Sequence, residues 1–420
     1  MENKNKFWKG ALVGALVTAF TGLIVVLFSA GIFLFGKKVI DNQVQTQRVE
    51  TGGSSEEGNL DFDRIEDKMD LIQQIIEKYY LFDEDPDKVE AGIYTGMMYG
   101  LDDPYSVYYT KENFDKLMED TEGVYCGIGA MVSQNRSTGI ISAIRVFEGA
   151  PSFEAGMLPG DILYSVDGTE VTGMDLDLLV GTYIKGEEGT EVQITVLRGE
   201  SGDKIDLTME RRQVEVPTVE HQMLEDNVGY IYVLQFDTIT AKQFKEAIDD
   251  LESKGMEKLV VDLRDNPGGV LDAVVEMMDY VLPDDQLLVY TEDRNGDGDR
   301  YSSEDGHQLD IPMAVLVNGN SASASEVFTG AVKDHDWAII VGTQTFGKGI
   351  VQNLIPLGDG TAIKLTTSHY FTPNGFDLHG KGIEPDVVVE VDEALKGKAV
   401  IPLEEDNQLQ AAIDALNEEE

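Results

Sequence analysis

Apolar positions along the chain fall into four regimes. Ala11 to Phe35 is an unbroken run of 25 residues without a charge. As a helix it would reach about 37 Å, more than the roughly 30 Å hydrocarbon core of a bilayer. It exceeds the apolar core of a signal peptide, and Phe33, Leu34 and Phe35 stand where small residues would mark a cleavage site. The pattern therefore predicts a short tail over 1–10 and an uncleaved transmembrane anchor over 11–36. Lys4, Lys6 and Lys9 precede the run and Lys37 and Lys38 follow it, a small bias that puts the amino end in the cytoplasm and the rest outside. Residues 37–60, with Gly52-Gly53-Ser54-Ser55, read as a flexible linker.

The second regime is helical. Ile65, Met69, Ile72, Ile75 and Ile76 recur at three- and four-residue spacing, and Val89, Ile93, Met97 and Met98 repeat this after Asp85-Pro86, which predicts a helical region over 61–120. The third, 121–212, has short strand-like runs such as Ile140 to Ile144 and Val192 to Leu197, broken at Gly149, Gly160, Gly168 and Gly189. The fourth, 213–392, alternates. Strands are expected at Val228–Phe236, Leu259–Leu263, Met313–Val317 and Ala338–Val341, and helices at Ala241–Leu251, Val270–Leu282 and Ser325–Val332. Such alternation predicts an α/β core with parallel pairing. Leu409, Ala412, Ile413 and Leu416 give residues 393–420 an apolar helical stripe, which either folds back on the core or pairs with a second copy in a homodimer.

Charge changes the picture of partners. The chain has 32 Lys+Arg against 78 Asp+Glu, a net of −46. Residues 1–60 hold six basic and five acidic side chains, so the whole excess lies in the outer part. Such a surface excludes nucleic acid, whose binding needs cations to displace counterions. The single cysteine, Cys126, excludes an internal disulfide and a cysteine-rich zinc site, and reads as a small packing residue. Asp293 to Glu304 formally fits a calcium-loop spacing, but Arg300 takes the usual apolar position and Leu287 to Tyr290 look like a strand. The segment therefore reads as an acidic hairpin turn.

Candidate chemistry sits at three turns. Asn318 to Glu326, a run of small and polar residues, follows a strand and opens a helix, where a serine hydroxyl and the next amide meet the positive end of the helix dipole. A serine nucleophile needs a base. One candidate is Lys348, between Gly347 and Gly349, whose burial would lower its pKa, with Gln352 four residues on to orient the amine. The other is His335, in the polar Lys333-Asp334-His335-Asp336 turn. In the third turn, Asp262 to Gly269, paired glycines allow backbone amides close to a ligand.

Together and in this order, the three motifs resemble those of the carboxyl-terminal processing peptidases, tail-specific serine peptidases of the S41 class. The resemblance implies an α/β peptidase core of that type over 213–392, with a Ser–Lys dyad. It puts the nucleophile on Ser323, the base on Lys348, its support on Gln352 and the oxyanion donors on Ala324 with Gly268 or Gly269. Asp334 matches a position of the family whose role here is expected to be structural. Residues 121–212, with Ala155-Gly156-Met157, Gly160-Asp161-Ile162-Leu163 and Val166-Asp167-Gly168, resemble an inserted PDZ domain. Gly127, Ile128, Gly129 and Ala130 stand where such domains hold a terminal carboxylate. The expectation is a membrane-anchored serine endopeptidase, its catalytic part outside the cytoplasm, acting without cofactor or metal on proteins with accessible carboxyl tails. The alternative is a tail-binding scaffold or chaperone with a silent core.

Overall fold

The computed structural model describes residues 60–418, apart from 200, 397, 399 and 400. The expected transmembrane helix over 11–36, and the linker as far as residue 59, lie outside the described residues. Among those described, no helix is long and apolar enough to cross a membrane.

Helix α1 (Phe62–Tyr79) belongs to a first unit that ends at Glu84; the remainder, Asp85–Glu420, forms a second. The second unit opens with α2 (Pro86–Tyr99), whose start is set by Pro86 after the Asp85 cap. The expected helical region is then interrupted by a strand, β1 (Val107–Tyr109), before α3 (Lys111–Glu122). Three residues are too few to show a period, and β1 is held by its antiparallel partner far down the chain.

Strands β2 (Val124–Gly127) and β9 (Arg212–Glu215) pair antiparallel and bracket a β-rich module. Inside it, β3 (Ala130–Gln134), β4 (Ile141–Val146), β5 (Ile162–Val166), β7 (Glu191–Arg198) and β8 (Asp203–Glu210) form one antiparallel sheet in that order. A two-residue strand β6 (Thr169–Glu170) flanks it, as do the short helices α4 (Pro151–Glu154) and α5 (Leu176–Leu178). Leu163, Val166, Val192, Ile194 and Val196 are fully buried between them.

The chain beyond this module is built on a sheet in the order β10 (Val219–Met223), β11 (Val228–Val233), β12 (Lys258–Asp262), β15 (Met313–Val317), β16 (Ile339–Gly342), β19 (Val387–Val388). Every pair beyond β10 is parallel. Helices α6 (Thr240–Ser253), α7 (Leu271–Val281) and α8 (Ala324–Asp334) share one core with it, in which Phe236, Phe244 and Phe328 are fully buried. On the other core cluster, Leu409, Ala412 and Leu416 of α9 (Asn407–Glu418) pack with Val260, Ala314 and Leu316, so the last helix folds back on the sheet.

A further, antiparallel sheet contains the Leu287–Tyr290 run expected as a strand, while its other strands were not foreseen by the periodicity. It is ordered β1, β18 (Ala362–Phe371), β13 (Leu287–Asp293), β14 (Arg300–Ser302), with β17 (Ile350–Pro356) also on β18. The Asp293 to Glu304 segment is the β13–β14 hairpin, and Asp293 Oδ1 accepts the amides of Asn295 and Asp297 across its turn at 2.7 and 3.0 Å.

Candidate active site

Strand β15 is buried along its whole length and delivers the chain to the Asn318–Ala322 turn. There Ser321 and Ser325 are fully buried with their hydroxyls committed, to the Leu263 carbonyl at 2.8 Å and the Asn266 carbonyl at 3.0 Å. Ser323 differs. It caps α8 at φ 55° and ψ −115°, a region that non-glycine residues avoid, and lines a cavity of about 580 Å³. The strained turn places its hydroxyl at the helix amino terminus beside the Ala324 amide.

Glu326, one turn into α8 and fully buried, joins this turn to the next. It accepts Ser323 N–H at 3.0 Å, Thr345 Oγ1 at 2.5 Å, Gly347 N–H at 2.7 Å and Lys348 N–H at 2.8 Å. Four donors satisfy a carboxylate whose desolvation would otherwise be costly. Sequence reasoning gave Glu326 no role, because its partners include amides more than 20 residues further on.

Lys348 is partly buried and lines the same cavity. Burial holds its amine below the ordinary lysine range; the Lys364 ammonium adds to this, while Asp103 and Glu326 oppose it. Its Nζ lies over the Tyr105 ring, 4.6 Å from the centroid, and no hydrogen bond joins it to Ser323 Oγ among the described residues. The Tyr370 hydroxyl donates to the Lys348 carbonyl. Burial, then the Glu326 charge, push that phenol far up, with Ser323 opposing, so it stays neutral and keeps its proton for the Lys348 carbonyl. Gln352 also lines the cavity, but its Nε2 donates to Ile350 O at 3.0 Å rather than to the lysine.

The glycine turn closes the site. A Cβ on Gly268 (φ +100°) would lie 2.7 Å from Ser323 Cβ and 3.0 Å from Ala324 N, and one on Gly269 (φ +149°) 2.0 Å from Phe236 O. Only glycine lets the backbone come this close. The Gly268 N–H is already given to the buried Asn266 Oδ1 at 2.9 Å. Of the two glycine amides expected as oxyanion donors, that leaves Gly269. His335 is remote from this turn: it ends α8 and its Nε2 pairs with Leu287 O at 2.7 Å. Asp334 Oδ2 accepts Asn374 N–H at 2.8 Å, a loop contact.

In the β-rich module, Gly127, Ile128 and Gly129 are buried and join β2 to β3. The Ile128 carbonyl accepts Ser152 N–H, and the Gly129 carbonyl accepts both Phe147 N–H and Ser152 Oγ, at 2.8 to 2.9 Å. The loop's carbonyls are thus engaged by the Phe147–Ser152 segment. Tyr125 lies against this loop: its phenol is pushed up to about 12 by burial, opposed by the amides of Gly129 and Ala130. The neighbouring Cys126 thiol is pushed up, chiefly by burial, which suits packing rather than reactivity.

A strand-end serine at a strained helix cap, a half-buried lysine and a glycine turn line one cavity, with a PDZ-like module inserted ahead of them, an arrangement that suits a serine peptidase. The chain belongs to the carboxy-terminal processing proteases of peptidase family S41. The family's own model matches residues 227–389, a PDZ model matches 126–209, and the model for the activating protease CtpB N-terminal domain matches 26–113. The carboxy-terminal processing protease CtpB of Bacillus subtilis is 33% identical over 375 residues, covering 87% of this chain and 78% of that protein. The carboxy-terminal-processing protease of Bartonella bacilliformis is 33% identical over 371 residues, covering 87% and 82%. Among solved structures, a photosystem II D1 C-terminal processing protease is 28% identical, covering 77% of this chain and 86% of that one, with a TM-score of 0.44.

Proposed function

We propose that this serine peptidase works through a dyad in which Ser323 is the nucleophile and Lys348 the general base. The observation that carries the reading is convergence. Turns at 266–269, 321–324 and 345–348 meet around one cavity, and a single buried carboxylate, Glu326, ties the serine turn to the lysine turn. The amine of Lys348, held neutral more readily by its burial, pivots at the Tyr105 ring toward Ser323 Oγ and takes its proton as the oxygen attacks a substrate carbonyl. The amides of Ala324 and Gly269 face the oxyanion, each worth about 3–4 kcal/mol to the transition state. The lysine then returns the proton to the leaving amine, and water releases the acyl group from Ser323. Gln352, four residues beyond the base, orients the amine once it has turned inward.

In the same reading, a substrate's carboxyl tail displaces the Tyr125 phenol from the amides of Gly129 and Ala130 and is captured by the Gly127–Ala130 loop, whose carbonyls are already engaged by Phe147 and Ser152. The enzyme is tethered by residues 11–36, with its acidic catalytic part outside the cytoplasm; the uncharged run and the lysine bias support this. The test is the turnover of an unfolded protein with an apolar carboxyl tail. Ser323→Ala should lose activity by a factor on the order of 10⁴ or more, and turnover equal to wild type would overturn the assignment.

A further inference from the structure

A residue outside the three catalytic turns reaches the base. We infer that Tyr105, supplied by the chain ahead of the PDZ domain, is a positioning residue for Lys348: its ring face seats the amine at rest and stabilises the ammonium formed when the lysine takes the Ser323 proton. This rests on Lys348 being the base.

The geometry is built, not incidental. Lys348 Nζ stands 4.6 Å from the Tyr105 centroid, within cation–π range. The backbone that carries the ring is fixed from both sides in sequence. Asp103 accepts Tyr105 N–H at 3.0 Å and Ser106 Oγ at 2.5 Å, and the nearly buried Ser106 Oγ in turn accepts Thr366 N–H of β18 at 3.1 Å. Immediately beyond, Val107, Tyr108 and Tyr109 pair with Lys364, Ile363 and Ala362 of the same strand. Strand β18 also pairs with β17, which Lys348 precedes by two residues. Ring and amine are therefore held to one sheet by separate anchors, although 243 positions apart in the chain.

The charges around the amine show why a neutral partner is useful. It is faced by Lys364 from β18, Asp103 from the Tyr105 segment and Glu326 from α8, with Tyr370 on its own carbonyl. A full carboxylate at contact would fix the ammonium and prevent its return as a base. A ring face steadies the cation yet releases the amine, because it offers no proton acceptor.

The experiment compares Tyr105→Phe, Tyr105→Leu and a series of ring-fluorinated phenylalanines at position 105, in the full chain, using kcat, KM and the pH profile of kcat/KM. Lys348→Ala is measured alongside. Tyr105→Phe should match wild type. Tyr105→Leu should lower kcat about 3- to 30-fold with KM unchanged. It should also move the acid limb to lower pH, because the ammonium form has lost a partner. Successive fluorines, which drain the ring face at nearly constant size, should reproduce both changes by degrees and decide the matter if the leucine variant fails to fold. An acid limb that does not move in any variant, a loss confined to KM, or a phenylalanine variant as impaired as leucine would overturn the inference. Full activity in Lys348→Ala would instead overturn the dyad, a separate failure.

Discussion

Ser323 and Lys348 hang from the same atom. The backbone amide of each donates to Glu326 Oε2, at 3.0 and 2.8 Å, while Oε1 takes Gly347 N–H and the Thr345 hydroxyl. The spacing of the proposed nucleophile and base is therefore set by a buried carboxylate rather than by the two side chains.

Glu326→Gln should accordingly be damaging despite its small change in shape. The carboxamide keeps one oxygen and turns an NH₂ toward donors, leaving at least two buried groups unpaired at about 1–3 kcal/mol each. A kcat loss on the order of 10²-fold and a fall in melting temperature are expected. Steady-state kinetics with calorimetry checks this, and unchanged kcat would show that the shared carboxylate does not set the site.

The pH dependence follows from Lys348. Its amine is held below the usual lysine range, first by burial and then by Lys364, and in the proposed dyad it must be neutral to accept the serine proton. Activity should therefore rise with pH through this lowered value. Lys364→Met removes a like charge, lets the value climb, and moves the acid limb of kcat/KM to higher pH. Asp103→Asn removes an opposing carboxylate and moves it lower. Opposite shifts in the two profiles are the signature, and a shift in the same direction would contradict the charge arrangement.

Much of this site is legible in the sequence. Met313–Val317 was expected as a strand and is one, because a run of five buried apolar residues between breakers has few alternatives. The serine and glycine turns likewise announce themselves by small residues where the backbone must turn tightly. What escaped was whatever depends on distant pairing. Val107–Tyr109 carries no period in three residues, and becomes a strand only because β18 lies beside it. Tyr105 could not be linked to Lys348 without that pairing. Glu326 looked like an ordinary acid in a first helical turn, which it also is. The bond from Gln352 to Ile350 in its own strand likewise has no signature in the four-residue spacing from Lys348.

The proposed tail capture can be separated from the chemistry. Gly129 sits at φ +76°, and a Cβ there would fall 2.2 Å from Ala150 Cβ. Gly129→Val should distort the loop and weaken binding of a carboxyl-terminal peptide at least tenfold by fluorescence anisotropy. Hydrolysis of a small ester that reaches only Ser323 should be preserved. Equal loss of both would place the loop's effect in the catalytic core.

The antiparallel β2–β9 pair has a further consequence. It closes the PDZ domain at its root, with Val124 opposite Glu215 and Gly127 opposite Arg212. The two points where the chain leaves and re-enters the peptidase part are neighbours before the intervening residues are counted. The ordering entropy of so large an excursion grows only logarithmically with its length. A different recognition module could be spliced onto this two-stranded stem with little penalty to the core. The architecture thus treats recognition as an exchangeable cassette, and the triad of turns around Ser323 as the fixed chassis.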